Sequence, residues 1–219
     1  MAPMPSHTVE VIQSGRAVAI RGEELSAIGK SPVTGAAEIG PLGLAGDEQA
    51  DRRVHGGPDM ALHHYPRDHY AFWKSLKPDH PMLASAGAFG ENISVTGLVE
   101  DDVCIGDRFT LGGATVEISQ GRQPCWKQGH VMNWPEMVAL IVKHARCGWY
   151  YRVIESGTVS AGDIITRIES PFPQWTVSRV FSLLIRGEGK SDPAALEALV
   201  DLNPLSRVWR GKAAALLGR

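Results

Sequence analysis

Apolar residues in the first three quarters of the chain fall into short runs separated by glycine and proline, not into long stretches of helical period. The segment Thr8–Ile12 alternates imperfectly between apolar and polar positions, and Ala17–Ile20 is a short apolar run. Runs of this kind, bounded by turn residues, are typical of β-strands. With 24 glycines and 14 prolines in 219 residues, the pattern predicts a mainly β fold with many turns.

A repeated turn motif supports this interpretation. Val103–Asp107 and Val159–Asp163 each read V-x-x-G-D before an apolar strand, and Leu44–Asp47 is a partial third copy. We expect turns at the ends of barrel or sheet strands here, not ligand-binding loops. A glycine pair at 112–113 between two apolar runs indicates a tight hairpin, whose second strand leads toward Cys125.

Helical patterns are few until the composition changes near 170–173, where two prolines form a short stiff linker. Before it, we expect one helix from Pro66 to about Leu76 and another that opens near Asn133. After it, capping residues precede three short helical patterns, at 177–185, 194–201 and 205–217. The sequence therefore predicts a mainly β domain over residues 1–170 and a small three-helix domain over residues 175–219, the latter without evident chemistry.

Composition and charge exclude several classes of function. Hydrophobic residues make up 43% and the net charge is −2, so the chain is an ordinary globular protein without the positive field of a nucleic-acid or acidic-membrane binder. No apolar run is long enough for a transmembrane helix, and no secretory signal is evident at the start of the chain. Three cysteines without a CxxC pair argue against a disulfide framework, and we expect a cytoplasmic protein.

The first candidate for chemistry is Cys125, in the stretch Ser119–His130. It follows a proline and lies between Arg122 and the basic residues Lys127 and His130. Positive neighbours lower the pKa of a thiol and favour the thiolate, the form that binds metals and attacks electrophiles. The alternative is a small buried apolar residue, a common fate of cysteine.

The second candidate is the dense polar stretch Leu42–Tyr70, which contains four of the eight histidines and a Gly56–Asp59 turn. Glycine pairs allow close approach of the backbone to a ligand. Asp47, His55 and His63 could in principle bind zinc, but their spacing matches no zinc motif, so we do not favour a zinc site. His63 and His64 are adjacent on a predicted strand, so at most one of them faces a given site.

Two further positions are ambiguous. Lys30 and Ser31 form a basic-hydroxyl pair before a strand break, and a solvated lysine at a strand end is the simpler interpretation. Asn92 follows Gly90-Glu91 and could bind a ligand or stabilise a turn.

Together, the segments GDEQADRRVHGGPDMALHHYPRDHY, FGENI and SQGRQPC and the C-terminal helical trio resemble the MOSC family, the C-terminal domains of molybdenum cofactor sulfurases, over nearly the whole chain. The resemblance includes a bacterial subgroup with a three-helix appendage. It implies a β-barrel with a few peripheral helices, a molybdopterin-type molybdenum cofactor, and Cys125 as the metal ligand. The cofactor-binding residues that it implies are Lys30, Ser31, Arg53, Gly56, Gly57, Asp59, Asn92 and Arg122.

The activity known in this family is the reduction of N-hydroxylated compounds such as hydroxylaminopurines and amidoximes. The resemblance thus implies removal of an oxygen atom at molybdenum bound to Cys125, with His55 or His64 as proton donor. No GxGxxG motif follows a strand, so electrons are expected from an external flavin reductase that uses NAD(P)H. A persulfide-carrying sulfur-transfer protein and a molybdopterin delivery module remain alternatives. The sequence does not determine the oligomeric state, and a homodimer is one of the states that it allows.

Overall fold

The computed structural model describes residues 6–50 and 56–219. The strands are β1 Ser6–Ser14, β2 Val18–Arg21, β3 Glu24–Ser26, β4 Ser31–Pro32, β5 Ala37–Gly40, β6 Gly43–Leu44, β7 Leu62–His64, β8 Ile93–Val95, β9 Arg108–Leu111, β10 Ala114–Gly121, β11 Trp149–Glu155, β12 Gly157–Val159 and β13 Ile164–Glu169. The helices are α1 His69–Leu76, α2 Trp126–Val131, α3 Met137–His144, α4 Val177–Leu184, α5 Pro193–Val200 and α6 Arg207–Leu216. Short 3-10 turns lie at Pro58–Met60, Pro81–Leu83 and Glu188–Ser191.

The main sheet closes into a seven-stranded barrel within the described residues. Its order is β13-β9-β10-β11-β7-β8-β1, and β1 pairs back onto β13 through His7 and Ile165. The β7–β8 pair is parallel and the other pairs of the barrel are antiparallel. Strand β4 pairs with the end of β1. Strands β12, β5 and β6 form a small second sheet, and β2 and β3 form a separate hairpin. The mainly β barrel that the sequence predicts is thereby confirmed.

Local sequence signals account for several of these elements. The glycine pair at 112–113 joins β9 to β10, with Ala114 opposite Leu111 as predicted for a tight hairpin. Asp107 and Asp163 accept hydrogen bonds from the backbone N–H of Cys104 and Ser160, so two of the repeated Gly-Asp motifs are turns as expected.

Some boundaries differ from the sequence prediction. Helix α1 begins at His69, because Pro66 and the two residues after it form a turn, although Tyr70 and Trp73 are buried as expected. The last helix begins at Arg207 with Ser206 as its N-cap, not at Leu205. Helix α2, directly after Cys125, was not predicted, because its six residues are too short for a periodic pattern.

The three C-terminal helices pack directly on the barrel. The Val177 N–H donates to Val103 O at 2.9 Å, and the Ser206 N–H donates to Ser119 O at 2.9 Å. Apolar side chains of α4, α5 and α6 belong to the same cluster of buried residues as those of the barrel strands. The helices therefore cover barrel side chains that would otherwise meet water. No helix of the described residues is both long and apolar enough to cross a membrane.

Candidate functional site

A cavity lies beside strands β7 and β11 of the barrel. The loops that follow β3, β6 and β10, and the loop that precedes β8, form most of its lining. It holds about 720 Å³ of empty space, part of it open to solvent. Charged and polar side chains dominate one wall: Lys30, Asp47, Glu48, Gln49, His63, Asn92, Arg122, Gln123, Cys125, Lys127 and Tyr150. The remaining lining is small or apolar: Ser26, Ala27, Ile28, Ala50, Met60, Ala61, Phe89 and Gly90. A concave surface with convergent polar groups is the usual form of a ligand site.

Cys125 reaches this cavity from the short connection between β10 and α2. The Arg122 N–H donates to Gly148 O at 3.0 Å, which ties the start of the connection to the barrel. The buried side chain of Gln128 accepts from Arg122 Nη2 at 2.7 Å and donates to Ala88 O at 2.8 Å. Cys125 itself is half-buried at the N-cap of α2. The thiol is thus presented by a backbone that is fixed on both sides.

A buried ion pair is part of the polar lining of the cavity. The side chain of Lys30 is only 5% exposed and pairs with Asp47. Asp47 also accepts from the Gly15 N–H at 2.8 Å and from Asn92 Nδ2 at 2.8 Å. Burial lowers the pKa of Lys30, and the Asp47 carboxylate opposes that shift. The simpler interpretation of Lys30 as a solvated lysine is therefore wrong.

Asn92 joins the ion pair to the barrel. Besides its bond to Asp47, its side chain accepts from the His63 N–H at 3.0 Å and donates to Gln13 O at 3.1 Å. The Asn92 side chain therefore stabilises the local backbone and also lines the cavity, and its contact with a ligand stays a prediction.

Arg122 supplies a positive group with unused hydrogen-bonding capacity. The residue is 5% exposed and lines the cavity, and its Nη1 is buried without a hydrogen-bond partner among the described residues. A buried guanidinium nitrogen without an acceptor is costly unless a ligand or water satisfies it. Tyr150 lies beside it: burial raises the pKa of the Tyr150 hydroxyl, while the Arg122 charge opposes that shift. This corner of the cavity is suited to an anionic group such as a phosphate.

The two adjacent histidines of β7 face opposite sides, as the strand period predicts. His63 lines the cavity, opposite Tyr150 in the sheet register. Burial, and next the charge of Arg122, lower the pKa of His63 well below its usual value. His64 does not line the cavity: it stacks on the Trp149 ring, with centroids 4.2 Å apart, and burial lowers its pKa to about 3.

The sequence-predicted residues thus separate into three groups. Lys30, Asn92, Arg122 and Cys125 come together at the cavity. Five predicted residues do not line the cavity: Ser31, Gly56, Gly57, Asp59 and His64. Ser31 is exposed on β4, and Asp59 accepts from Arg152 at 2.8 Å. Arg53 and His55 lie outside the described residues.

Several cavity residues were missed by the sequence interpretation. The sequence indicates Asp47 only as a possible zinc ligand and as part of a turn, whereas in the structure its carboxylate pairs with the buried Lys30. Tyr150 lies in the run Trp149–Ile154, whose sequence indicates a strand and no chemistry, and Ser26–Ile28 contain no chemical motif. Among the described residues no cluster of three or more histidine, cysteine or acidic side chains could hold a metal ion on its own.

The residues present fit a molybdopterin-type cofactor by their chemistry. Cys125 is a thiol in a half-buried position, and a thiolate is a soft ligand suited to a redox-active metal. The buried, unpartnered Arg122 Nη1 provides a donor for a phosphate, and Asn92 and Tyr150 provide further polar groups.

Known proteins resemble this chain in sequence and in structure. The profile of the MOSC domain matches residues 51–166. The chain is 41% identical to YiiM of Escherichia coli over 72% of this chain and 71% of that protein. It is 37% identical over 82% of its length to a protein of Gibberella moniliformis called "Reductase", of which the match spans 32%.

Solved structures agree with these matches. The crystal structure of YiiM from Geobacillus stearothermophilus superposes with a TM-score of 0.81 at 28% identity, over 97% of this chain and 100% of that one. YiiM from Escherichia coli superposes with a TM-score of 0.80 at 30% identity, over 98% and 94%. The cavity cysteine lies inside the matched segment, and the similarity extends through the C-terminal helices. The chain therefore belongs to the MOSC domain family, as its sequence motifs predict.

Proposed function

We propose that this protein is a molybdenum-cofactor-dependent oxidoreductase that reduces N-hydroxylated compounds, such as hydroxylaminopurines and amidoximes. The observation that carries the proposal is the presentation of Cys125 in a cavity that also contains the buried, unpartnered Nη1 of Arg122. A soft metal ligand and an anion-binding donor in one cavity are what a metal held by a phosphorylated pterin requires. Membership of the MOSC family and the similarity to a protein called "Reductase" support the same class of chemistry.

Cys125 is the proposed ligand to the metal and Arg122 the proposed contact to the cofactor phosphate. Lys30 is a weaker phosphate contact than Arg122 in this scheme, because Asp47 already compensates its charge. Its proposed contribution is to hold Asp47 and Asn92 in place beside the ligand. When bound, the cofactor supplies the two-electron chemistry that removes the oxygen of an N–OH group.

The chain must also supply a proton to the departing oxygen. We assign this role to Tyr150, because it lines the cavity and its hydroxyl carries a proton at neutral pH. His64 is not used, since it lies outside the cavity and its pKa of about 3 keeps it unprotonated. His55 stays a prediction, and so does the external NAD(P)H-dependent flavin reductase as electron donor.

The test is molybdenum analysis of protein purified from a host that makes molybdopterin, together with reduction of 6-hydroxylaminopurine by a chemical reductant. Cys125→Ser should lower both the bound molybdenum and the activity by at least about tenfold. Arg122→Gln should lower molybdenum occupancy while the chain stays folded. Cys104→Ser is the matched control, because Cys104 is buried beside Pro173 outside the cavity, and it should retain both properties.

Three results would contradict the proposal. Full molybdenum content and activity in Cys125→Ser would remove the cysteine from the site. A persulfide on Cys125 with no molybdenum in the wild-type protein would favour sulfur transfer instead, and stoichiometric molybdenum without turnover would favour a delivery module.

A further inference from the structure

The hairpin formed by β2 and β3 stands apart from the barrel. Its strands pair with each other and with no other strand of the described residues. Across the described chain, no backbone-to-backbone hydrogen bond joins residues 16–29 to another element. The Glu48 side chain holds only the start of the segment, where it accepts from the Ala17 N–H at 2.8 Å. Val18 and Leu25 are 54% and 41% exposed. An element with so few buried contacts is held to the rest of the protein by a small free energy.

The same hairpin nevertheless supplies one wall of the cavity. Ser26, Ala27 and Ile28, at the end of β3, line the cavity on the side facing Gly90. Ile28 packs so closely there that a Cβ on Gly90 would lie 3.0 Å from the Ile28 Cα. Displacement of the hairpin would therefore widen the opening above Cys125.

Two side chains of α2 hold the hairpin in place. Lys127 Nζ donates to Leu25 O at 2.7 Å and lies 3.1 Å from Glu24 Oε2. His130 Nε2 donates to Ile20 O at 3.0 Å. Both donors belong to the helix that begins immediately after Cys125, so the hairpin is attached to the segment that presents the thiol.

The base of the hairpin contains a glycine at each end. Gly15 lies so close to the other arm that a Cβ there would be 2.5 Å from Gly29 O. Gly29 faces open space, and its backbone is outside the left-handed region. Glycine has the largest backbone freedom of any residue, so a rotation of the hairpin would be absorbed at these two positions.

We propose that the β2–β3 hairpin is a gate over Cys125, hinged at Gly15 and Gly29 and latched by the positioning residues Lys127 and His130. Opening the gate admits a ligand to the cavity, and closing it restores the wall of Ser26–Ile28 around that ligand. That the gate acts during turnover rests on the function proposed above. That the hairpin moves does not depend on that function. The motion is a property of the chain itself and is measurable on protein made without molybdopterin.

The experiment follows alkylation of Cys125 by N-ethylmaleimide, with peptide mass spectrometry to separate it from Cys104 and Cys147. His130→Ala removes one latch without changing a residue next to the thiol, and we expect the Cys125 rate to rise about fivefold. Gly29→Ala stiffens a hinge and should lower the rate. The amides of residues 18–26 should exchange hydrogen faster in His130→Ala and more slowly in Gly29→Ala. The fully buried Cys147 reports global unfolding and should keep its rate in both variants.

His144→Ala, on α3, is the matched histidine control and should leave the Cys125 rate unchanged. Equal rates in wild type, His130→Ala and Gly29→Ala would overturn the proposal and leave the hairpin a fixed wall. A parallel rise at Cys125 and Cys147 would also overturn it, since exposure would then come from unfolding. The alkylation assay contains no cofactor. A negative result there would contradict the hairpin motion alone, and a negative molybdenum analysis would contradict the proposed function alone.

Discussion

The two histidines of β7 show how one residue of sequence changes the chemistry of a side chain. His63 lines the cavity, while His64 packs between the Trp149 and Tyr151 rings with its Nδ1 3.1 Å from the Tyr151 hydroxyl. Burial lowers the pKa of His64 from 6.5 to about 3, so the folded protein keeps this ring neutral.

The stability of the protein should therefore fall on acidification, partly through His64. The unfolded chain binds a proton at this position below its ordinary pKa of 6.5, whereas the folded chain does so only near 3. The contribution is complete above that ordinary value and is lost progressively as the pH falls toward the folded value. His64→Gln should reduce the drop in unfolding free energy between about pH 7 and about pH 4.5 by about 2–3 kcal/mol.

Urea unfolding at the two pH values measures this difference. Asn203→Ala, on an exposed side chain that does not titrate, serves as control and should preserve the wild-type pH dependence. An unchanged drop in His64→Gln would mean that the ring is charged in the folded protein or that it is solvated.

Residue types next to each other in the sequence were enough to predict some of the site but not all of it. Cys125 was recognisable from its basic neighbours. The strand period indicated that only one of His63 and His64 faces the cavity, but the resemblance pointed to His64, whereas the structure places His63 there. Lys30 was misjudged because its partner, Asp47, lies 17 residues away and only the folded chain brings them together. The three Gly-Asp motifs look alike in sequence, yet Asp107 and Asp163 cap turns whereas Asp47 faces a buried cation. What surrounds each carboxylate is decided by tertiary packing.

At the level of elements, the start of α6 shows how two local signals can compete. Asn203-Pro204 resembles a cap followed by proline at the first helical position, but the observed cap is Ser206, whose Oγ accepts from the Trp209 N–H at 3.2 Å. Pro204 instead packs against the barrel, where a Cβ on Gly106 would lie 2.9 Å from its Cγ. Its carbonyl also accepts from Arg152 at 2.9 Å, so docking on the barrel delays the helix.

Ser206→Ala should therefore lower the unfolding free energy by about 1 kcal/mol, because α6 loses its N-terminal hydrogen bond. The bond from the Ser206 N–H to Ser119 O is a backbone contact and survives the substitution. Asn203→Ala is the matched control on an exposed side chain and should change the stability by less than about 0.5 kcal/mol. Urea unfolding of the two variants measures both losses of unfolding free energy. A larger loss in Asn203→Ala than in Ser206→Ala would identify Asn203 as the cap of α6, as the sequence suggests.

Elements formed by neighbouring residues were the easiest to predict, and the closure of the barrel was the hardest. The β9–β10 hairpin follows from a glycine pair between two apolar runs. The pairing of β1 with β13 joins residues near Ser6 to residues near Thr166, and no local pattern specifies it. The gate hairpin at 18–26 was predicted only as short strands, since its separation from the barrel is visible only once the other strands have found their partners.

At the scale of the whole molecule, the C-terminal helices are connected to the strand that leads to the site. Trp209 of α6 is 1% exposed, and a Cβ on Gly121 at the end of β10 would lie 2.9 Å from its ring. Gly121 directly precedes Arg122, so the helices fix one side of the cavity without contributing a side chain to it. The division at residues 170–175 that the sequence predicts is a change in element type, and the buried apolar cluster continues across it.

A shared core predicts that barrel and helices unfold together. Trp209→Ala should lower the unfolding free energy by about 3–5 kcal/mol, because it leaves a cavity between α6 and β10. Val208→Ala, at a position 57% exposed on the same helix, should change it by less than about 0.5 kcal/mol. Far-ultraviolet circular dichroism and tryptophan fluorescence should give coincident single transitions in both variants. Two separate transitions, or a chain truncated after Ser170 that unfolds cooperatively by itself, would instead mean that residues 175–219 are an independent domain whose loss the barrel tolerates.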